Sequence, residues 1–377
     1  MRRSVAVNTR LLIKNRLEGI GWFGHETLSR ITTAHPEVDF HFFFDRPFDQ
    51  QFIYGSNVTG HVIFPQARHP FLYYLWFEWS VKSKLDELKP DLFLSIDGLL
   101  SLRSSVPQIS VIHDINFEHY PDYLPLLTRW YHLHYFKKFA QKANQIVTVS
   151  EFSKTDIQKQ YGIEAEKINV IYNGASPLFK PVSADTKKHT QEKYSQGTPY
   201  LIYVGALQPR KNIGRLLHAF DAYKKESNSN VKLLLTGEKK WWSPEQEQLF
   251  SSLAYKEDVA FTGRLDQAEL ATVMASAEGL TYVSVFEGFG IPILEAMKCE
   301  IPVLTSNVSS MPEVGGKAAV YCDPWNVESI TLGIHDLLDA SKRGERIEKG
   351  RMQREKFSWD KTAEALWKSM ERVMDRG

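Results

Sequence analysis

The sequence predicts an α/β protein made of two doubly wound parallel-sheet domains facing a central cleft. Three observations predict it. Short runs of β-branched and aromatic residues alternate with helical stretches, the pattern of parallel strands joined by helical crossovers. The chain has 377 residues, more than one hydrophobic core organises, since cores stop growing at roughly 250–300 residues. A polar segment at 180–198, with Pro181, Gly197 and no apolar period, interrupts the alternation where a domain connection would fall.

The first half carries strand-like runs at 5–8, 38–44, 92–95, 109–112 and 146–149. The second half is more regular. A strand at 200–204 is followed by a helix at 213–225, a strand at 231–235 and a helix at 244–254. Ser243 opens that last helix with Gln246 three residues on, a capping-box signature. Strands at 259–262, 280–283 and 301–305 then alternate with helices at 267–277 and 292–298, and the end of the chain reads as a helix from Trp359 to Met374. The expected domains are 1–180 and 181–355, followed by a terminal segment, 356–377. In open parallel sheets ligands bind outside the carboxyl ends of the strands, so functional residues are expected there.

Composition narrows the function. Apolar residues make up 43% and charged residues 24%, as in ordinary globular proteins and unlike disordered or membrane-spanning chains. Lys and Arg number 46 against 45 Asp and Glu, so no whole-chain attraction to nucleic acid is expected and any anion must be held by a local site. The chain has no run of about 18 apolar residues, and its start turns polar too soon for a signal peptide. Cys299 and Cys322 fit neither a disulfide framework nor a zinc cluster, which suits a reducing, cytoplasmic setting.

Four segments carry candidate chemistry. Glu287, Gly288, Phe289, Gly290, Ile291, Pro292 and Glu295 follow the strand at 280–283. The glycines permit close approach of a ligand, the helix start leaves amides unpaired, and Glu295 lies about one turn inside the helix. A capped helix with a solvated Glu295 is the plainer alternative. Gly205 follows the strand at 200–204 and leads to Pro209, Arg210, Lys211 and Asn212, with Asn212 as N-cap and the two cations beside a positive helix terminus. Gly19, Ile20, Gly21, Trp22, Phe23 and Gly24 match the dinucleotide pattern, with Asp45 about 20 residues on as ribose ligand. The residues between the first strand and Gly19 weaken an NAD reading, and a glycine loop lining the cleft serves equally well. His113, followed by Asp114, closes the run at 109–112 and is placed to donate to a sugar hydroxyl or to be a satisfied structural histidine.

In their order and spacing these segments resemble the retaining glycosyltransferases of family 4, which have the GT-B architecture of two Rossmann-like domains. The resemblance covers nearly the whole chain. It rests on Glu287 and Glu295 with seven residues between them, on Gly205 leading to Pro209, Arg210, Lys211 and Asn212, and on Asn173-Gly174. Thr262-Gly263, Pro302-Val303-Leu304, Pro312-Glu313-Val314-Gly315-Gly316 and Phe357-Ser358-Trp359 add to it. The resemblance implies that Glu287 bonds the donor sugar, Glu295 the ribose hydroxyls, and that Lys211 with Arg210 neutralises the departing diphosphate. Amides of Gly288, Phe289, Gly290 and Ile291 would hold phosphate or sugar oxygens, and His113 the transferred sugar. The Gly19, Ile20, Gly21 loop would reach the diphosphate or the acceptor, Arg264 and Leu265 would lie beside the base, and the terminal helix would return to the first domain. One departure is visible: relatives carry Arg directly after the glycine equivalent to Gly205, and this chain has Ala206, which leaves Arg210 as the substitute.

The function implied is retaining, metal-independent transfer of a hexose from a nucleotide diphosphate sugar, the co-substrate, to a saccharide or lipid-linked saccharide acceptor in polysaccharide biosynthesis. No cofactor and no metal are implied, and no Asp-X-Asp occurs. Mannose from GDP-mannose is favoured over glucose or N-acetylhexosamine. The acceptor is expected on the aromatic-rich first domain, where Trp76, Trp79, Trp130 and Tyr131 are candidates for a saccharide platform or a peripheral membrane contact. The basic and aromatic stretch 129–142 reads either as a solvated amphipathic helix or as that contact. The alternatives are an NAD-dependent oxidoreductase using the 19–24 loop and a non-catalytic sugar-binding protein.

Overall fold

The computed structural model describes residues 2–239 and 241–376. The chain forms two compact units, Met1–Asn173 with Trp359–Gly377, and Gly174–Ser358. The division therefore falls after Asn173, ahead of the polar stretch. That stretch is not a loose connection: Ala184–Ser195 is a helix, with Ser183 Oγ accepting from the Thr186 amide at 3.2 Å. It packs on the helix Gln267–Ala275 within the second unit. Its inward residues include Thr190 and Ser195, small and polar, which is why no apolar period betrays it.

The first unit holds a seven-stranded sheet in the order β3-β2-β1-β4-β5-β6-β7. Its strands are β1 (Ser4–Asn8), β2 (Asp39–Phe44), β3 (Val58–Val62), β4 (Leu92–Ser95), β5 (Gln108–Val111), β6 (Gln145–Thr148) and β7 (Ile168–Val170). The second holds six strands in the order β10-β9-β8-β11-β12-β13: β8 (Tyr200–Val204), β9 (Lys232–Thr236), β10 (Val259–Gly263), β11 (Gly279–Tyr282), β12 (Val303–Ser306) and β13 (Val320–Cys322). All neighbouring strands are parallel. Helical crossovers cover both faces, so β4, β5, β6, β8, β11 and β12 are buried throughout. The expected doubly wound α/β class is what the chain adopts. Three strands carry no clear sequence signal: β7 and β13 have only three residues each, and β3 holds Thr59, Gly60 and His61 in place of an apolar run.

Sheet order matters for function because the strand order of each sheet reverses once, between β1 and β4 and between β8 and β11, with every strand still parallel. At such a point the crossovers leave on opposite faces and open a crevice at the strand ends.

The helix Trp359–Met374 belongs to the first unit and packs on the helix Gly19–Ala34. Trp367 stacks on His35 with ring centroids 3.7 Å apart, and Thr362 Oγ1 donates to Tyr172 O at 2.6 Å. Two of the proposed platform aromatics are core residues: Trp76 is fully buried and donates Nε1 to Ile63 O at 2.8 Å, and Tyr131 is 2% exposed. Trp79 and Trp130 are exposed, at 59% and 58%. Leu366 is fully buried on the terminal helix, so Leu366→Ala is expected to destabilise the protein by about 2–5 kcal/mol, read from denaturant unfolding.

Candidate functional site

The reversal between β8 and β11 gathers the candidate chemistry of the second unit. Gly205 follows β8, Gly237 follows β9, and β10 ends on Gly263. Gly237 has φ +150°, and a Cβ there would lie 2.0 Å from Gly205 O. The backbone turns at these strand ends therefore meet with no room for a side chain. Gly237 was missed by the sequence reading, although Thr236-Gly237 repeats the strand-ending pattern of Thr262-Gly263.

Residues Pro209–Lys211 form a single 3-10 turn, and Asn212 (φ +62°) precedes the helix Ile213–Ser227. Asn212 occupies the N-cap position, yet its side chain does not cap. Nδ2 instead donates to Val283 O at 3.1 Å and Pro324 O at 2.7 Å. The Val285 amide also donates to Arg210 O at 2.9 Å. These bonds tie the loop carrying the two cations to the segment leaving β11.

As a result Glu287 sits between both cations. Arg210 Nη1 donates to Glu287 Oε2 at 2.7 Å and to Phe286 O at 3.1 Å. Lys211 Nζ donates to Glu287 Oε1 at 2.5 Å and to Tyr282 Oη at 2.8 Å. Lys211 and Glu287 are both buried. Burial by itself would raise the Glu287 carboxyl, but Arg210 and Lys211 overcome it and hold the group down at about 2. The cluster carries two cations and one carboxylate, a net positive charge largely removed from water, where charge interactions are strong. Tyr282, also buried, was not singled out from the sequence because a tyrosine in a strand reads as core.

The loop after Glu287 is held by two serines. Ser310 Oγ bonds the carbonyls of both Glu287 and Phe289 at 2.9 Å, and the Glu287 amide donates to Ser309 Oγ at 3.2 Å. Phe289 is buried against Phe357, centroids 5.7 Å apart, so Phe289 contributes its backbone and not its ring. Gly288 is buried too. Gly290, at φ +101°, is the N-cap of the helix Ile291–Lys298, with Pro292 in the first turn; a backbone of that sign suits glycine and leaves no side chain over the helix start. Glu295 is half-buried and is not the solvated residue of the plainer alternative. Loss of water pushes its carboxyl up to about 8 against the opposing pull of Lys298, and among the described residues it has no hydrogen-bond partner. Arg264 is exposed beyond the end of β10, 3.9 Å from Glu238, with half-buried Leu265 beside it.

Gly19, Ile20, Gly21 and His113 belong to the first unit. Gly19 opens the helix Gly19–Ala34, with ten residues between it and the end of β1, so this glycine segment is not the turn directly after a strand that dinucleotide binding requires. Gly21 packs tightly: a Cβ there would lie 3.0 Å from Leu11 O. Asp45 is fully buried and committed to Arg46, at 2.6 and 2.9 Å, and to the Ala67 amide at 3.0 Å. It is not available to a ribose. His113 follows β5, bonds Ile96 O through Nε2 at 3.0 Å and meets Phe23 edge-on at 5.0 Å. Burial lowers its pKa, so at neutral pH the ring is uncharged, with Nε2 as donor and Nδ1 left as an acceptor.

Two outcomes follow from this electrostatics. Glu287→Gln removes the carboxylate that Arg210 and Lys211 share, so a loss of about 3–5 kcal/mol is expected; thermal melting checks it. The raised Glu295 carboxyl keeps its proton in the folded state after the unfolded chain has lost it. Wild-type stability therefore falls as pH rises from the ordinary 4.5 to about 8. Glu295→Gln should gain in melting temperature relative to wild type across that window.

Comparison with known proteins places the chain in a family. The family model of glycosyl transferases group 1 matches residues 185–354, and that of Glycosyltransferase Family 4 matches residues 30–177. The O-antigen chain mannosyltransferase B of Escherichia coli is 30% identical over 362 residues, covering 92% of this chain and 94% of its own. The O-antigen chain mannosyltransferase RfbU of Salmonella typhimurium strain LT2 is 31% identical over 241 residues, 63% of each chain. Among solved structures, sucrose-phosphate synthase of Thermosynechococcus elongatus superposes over 100% of both chains with a TM-score of 0.78 at 16% identity. Anabaena Alr3699/HepE, solved with UDP and glucose, covers 98% of this chain and 100% of its own, with a TM-score of 0.75 at 18% identity. These likenesses agree with the two parallel sheets in showing the GT-B fold, and the chain belongs to the group 1, family 4 glycosyltransferases.

Proposed function

We propose that the protein is a retaining hexosyltransferase that moves mannose from GDP-mannose to a saccharide or lipid-linked saccharide acceptor in polysaccharide biosynthesis. The observation that carries this reading is the net positive cluster of Arg210, Lys211 and Glu287 at the β8/β11 reversal. The names of the mannosyltransferase relatives support the choice of sugar.

In this reading the donor diphosphate takes up the positive charge that Glu287 only half neutralises. Lys211, with Arg210 in place of an arginine at Ala206, stabilises the charge that builds on the diphosphate as the glycosidic bond breaks. The amides from Gly288 to Ile291 at the helix start add fixed dipoles to the same oxygens. No metal or cofactor is assigned to the reaction. Glu287 then turns toward the sugar hydroxyls, Glu295 bonds the ribose, and Arg264 and Leu265 border the base beside Gly205. The acceptor hydroxyl attacks the anomeric carbon on the face the diphosphate leaves, and its proton passes to a departing phosphate oxygen. His113 is assigned to the transferred sugar, and Gly19, Ile20 and Gly21 to the diphosphate or the acceptor. The acceptor side is assigned to the first unit, and the helix Leu126–Lys142 to peripheral contact with an anionic membrane. Its exposed Leu126, Leu127, Trp130 and Leu133 are followed by exposed Lys137 and Lys138, apolar and basic groups suited to that surface. Flotation with anionic vesicles at low salt should recover the protein, and failure to float removes this contact.

A thermal-shift panel of GDP, UDP, ADP and NAD tests the class, because a selective ligand stabilises by mass action. GDP is expected to raise the melting temperature most. Stabilisation by NAD alone would instead support an oxidoreductase, and nucleotide binding without transfer a sugar-binding protein. Lys211→Ala should lower turnover by about two to three orders of magnitude; near-normal turnover sinks the assignment.

A further inference from the structure

We propose that the Arg10–Asp97 pair at the β1/β4 reversal of the first unit is a saccharide subsite that reads two neighbouring hydroxyls of the acceptor. Its assignment to the acceptor rests on the transferase reading above; the binding of a saccharide there does not.

Placement comes first. The second sheet carries its charged cluster where its strand order reverses, and the first sheet reverses between β1 and β4. The residues at those two strand ends are Asn8, Arg10, Ser95 and Asp97. Asp97 and Arg10 side chains are only 3% and 10% exposed and meet through Arg10 Nε and Asp97 Oδ2 at 2.7 Å. A buried ion pair seldom gains stability over apolar residues of the same volume, because desolvation offsets the attraction. Its presence at the point where parallel sheets bind ligands is therefore better explained by a ligand than by folding.

The hydrogen-bond inventory indicates which ligand. Asp97 Oδ1 is saturated: it accepts from Asn8 Nδ2 at 2.9 Å, Ser95 Oγ at 3.0 Å and the Leu99 amide at 3.3 Å. Among the described residues Oδ2 accepts only from Arg10, which leaves it a lone pair. Arg10 Nη1 has one long bond, 3.4 Å to Ala67 O, and Nη2 has none among the described residues. One anionic acceptor and a fork of donors thus remain side by side. A sugar hydroxyl pair matches them, one hydroxyl donating to Oδ2 and its neighbour accepting from Nη. A phosphate matches less well, since the pair is neutral overall and the carboxylate would repel it. The Arg10 guanidinium also lies over the Tyr73 ring, 5.0 Å from its centre, a cation–π contact that fixes where the donor fork points.

The test uses the full chain and four separate probes, the methyl glycosides of mannose, glucose, galactose and N-acetylglucosamine, by saturation-transfer NMR. Inorganic phosphate is added as competitor. At least one glycoside is expected to bind, with affinity at least tenfold weaker in Arg10→Lys and in Asp97→Asn while circular dichroism and the nucleotide thermal shift stay as in wild type. Tyr73→Leu leaves the pair intact and should weaken the same glycoside, which decides the matter if the charge variants do not fold. The proposal is overturned if no glycoside binds wild type, if folded variants bind it equally well, or if phosphate displaces it from wild type. Absence of any nucleotide shift with glycoside binding retained would defeat the transferase reading and leave the saccharide subsite standing.

Discussion

A carboxylate held between two cations, all three almost out of water, is the arrangement around which the second unit's strand ends are organised. Glu287 needs Arg210 and Lys211 to remain ionised where it lies, and they need it to be tolerated there. The bonds from Asn212 and from the Val285 amide bring the two loops together. The serine pair that follows fixes the turn into the helix Ile291–Lys298. Each depends on the parallel sheet delivering β8 and β11 as neighbours. Two cations thus share one carboxylate at these strand ends.

The two units solve the same topological problem with different chemistry. Each sheet reverses once, and each reversal collects charged side chains at the carboxyl ends of its strands. In the second unit the result is net positive, in the first a neutral Arg10–Asp97 pair with hydrogen-bonding capacity to spare. The difference matches the ligands proposed for them: a diphosphate is recognised by excess positive charge, a polyol by donors and acceptors held in register.

Much of this was legible beforehand, and the reasons are physical. Strands buried on both faces must be apolar along their length, so β4, β8 and β11 announce themselves, whereas β3, with Thr59, Gly60 and His61, and the three-residue β7 and β13 lack an apolar run and do not. The helix Ala184–Ser195 looks like a linker in sequence because it buries Thr190 and Ser195 in place of large apolar residues. Trp76 and Tyr131 were offered as a binding platform because an aromatic side chain looks the same in sequence whether it packs in a core or faces solvent. Tyr282 and Gly237 drew no notice for the same reason: one is an ordinary strand residue and the other an ordinary glycine until their neighbours are known.

Local chemistry by itself determined the alternation of strand and helix, the glycine turn into the helix after Glu287 and the capping box at Ser243. Those features depend on neighbours within a few positions along the chain. Only the tertiary structure decided that Arg210 and Lys211 share Glu287, that Glu295 is half-buried and pushed up to about 8, that Asp45 is spent on Arg46 and Ala67, and that Arg10 finds Asp97. Ionisation and hydrogen-bond capacity are set by what surrounds a group in space, and parallel sheets build those surroundings from segments tens of residues apart.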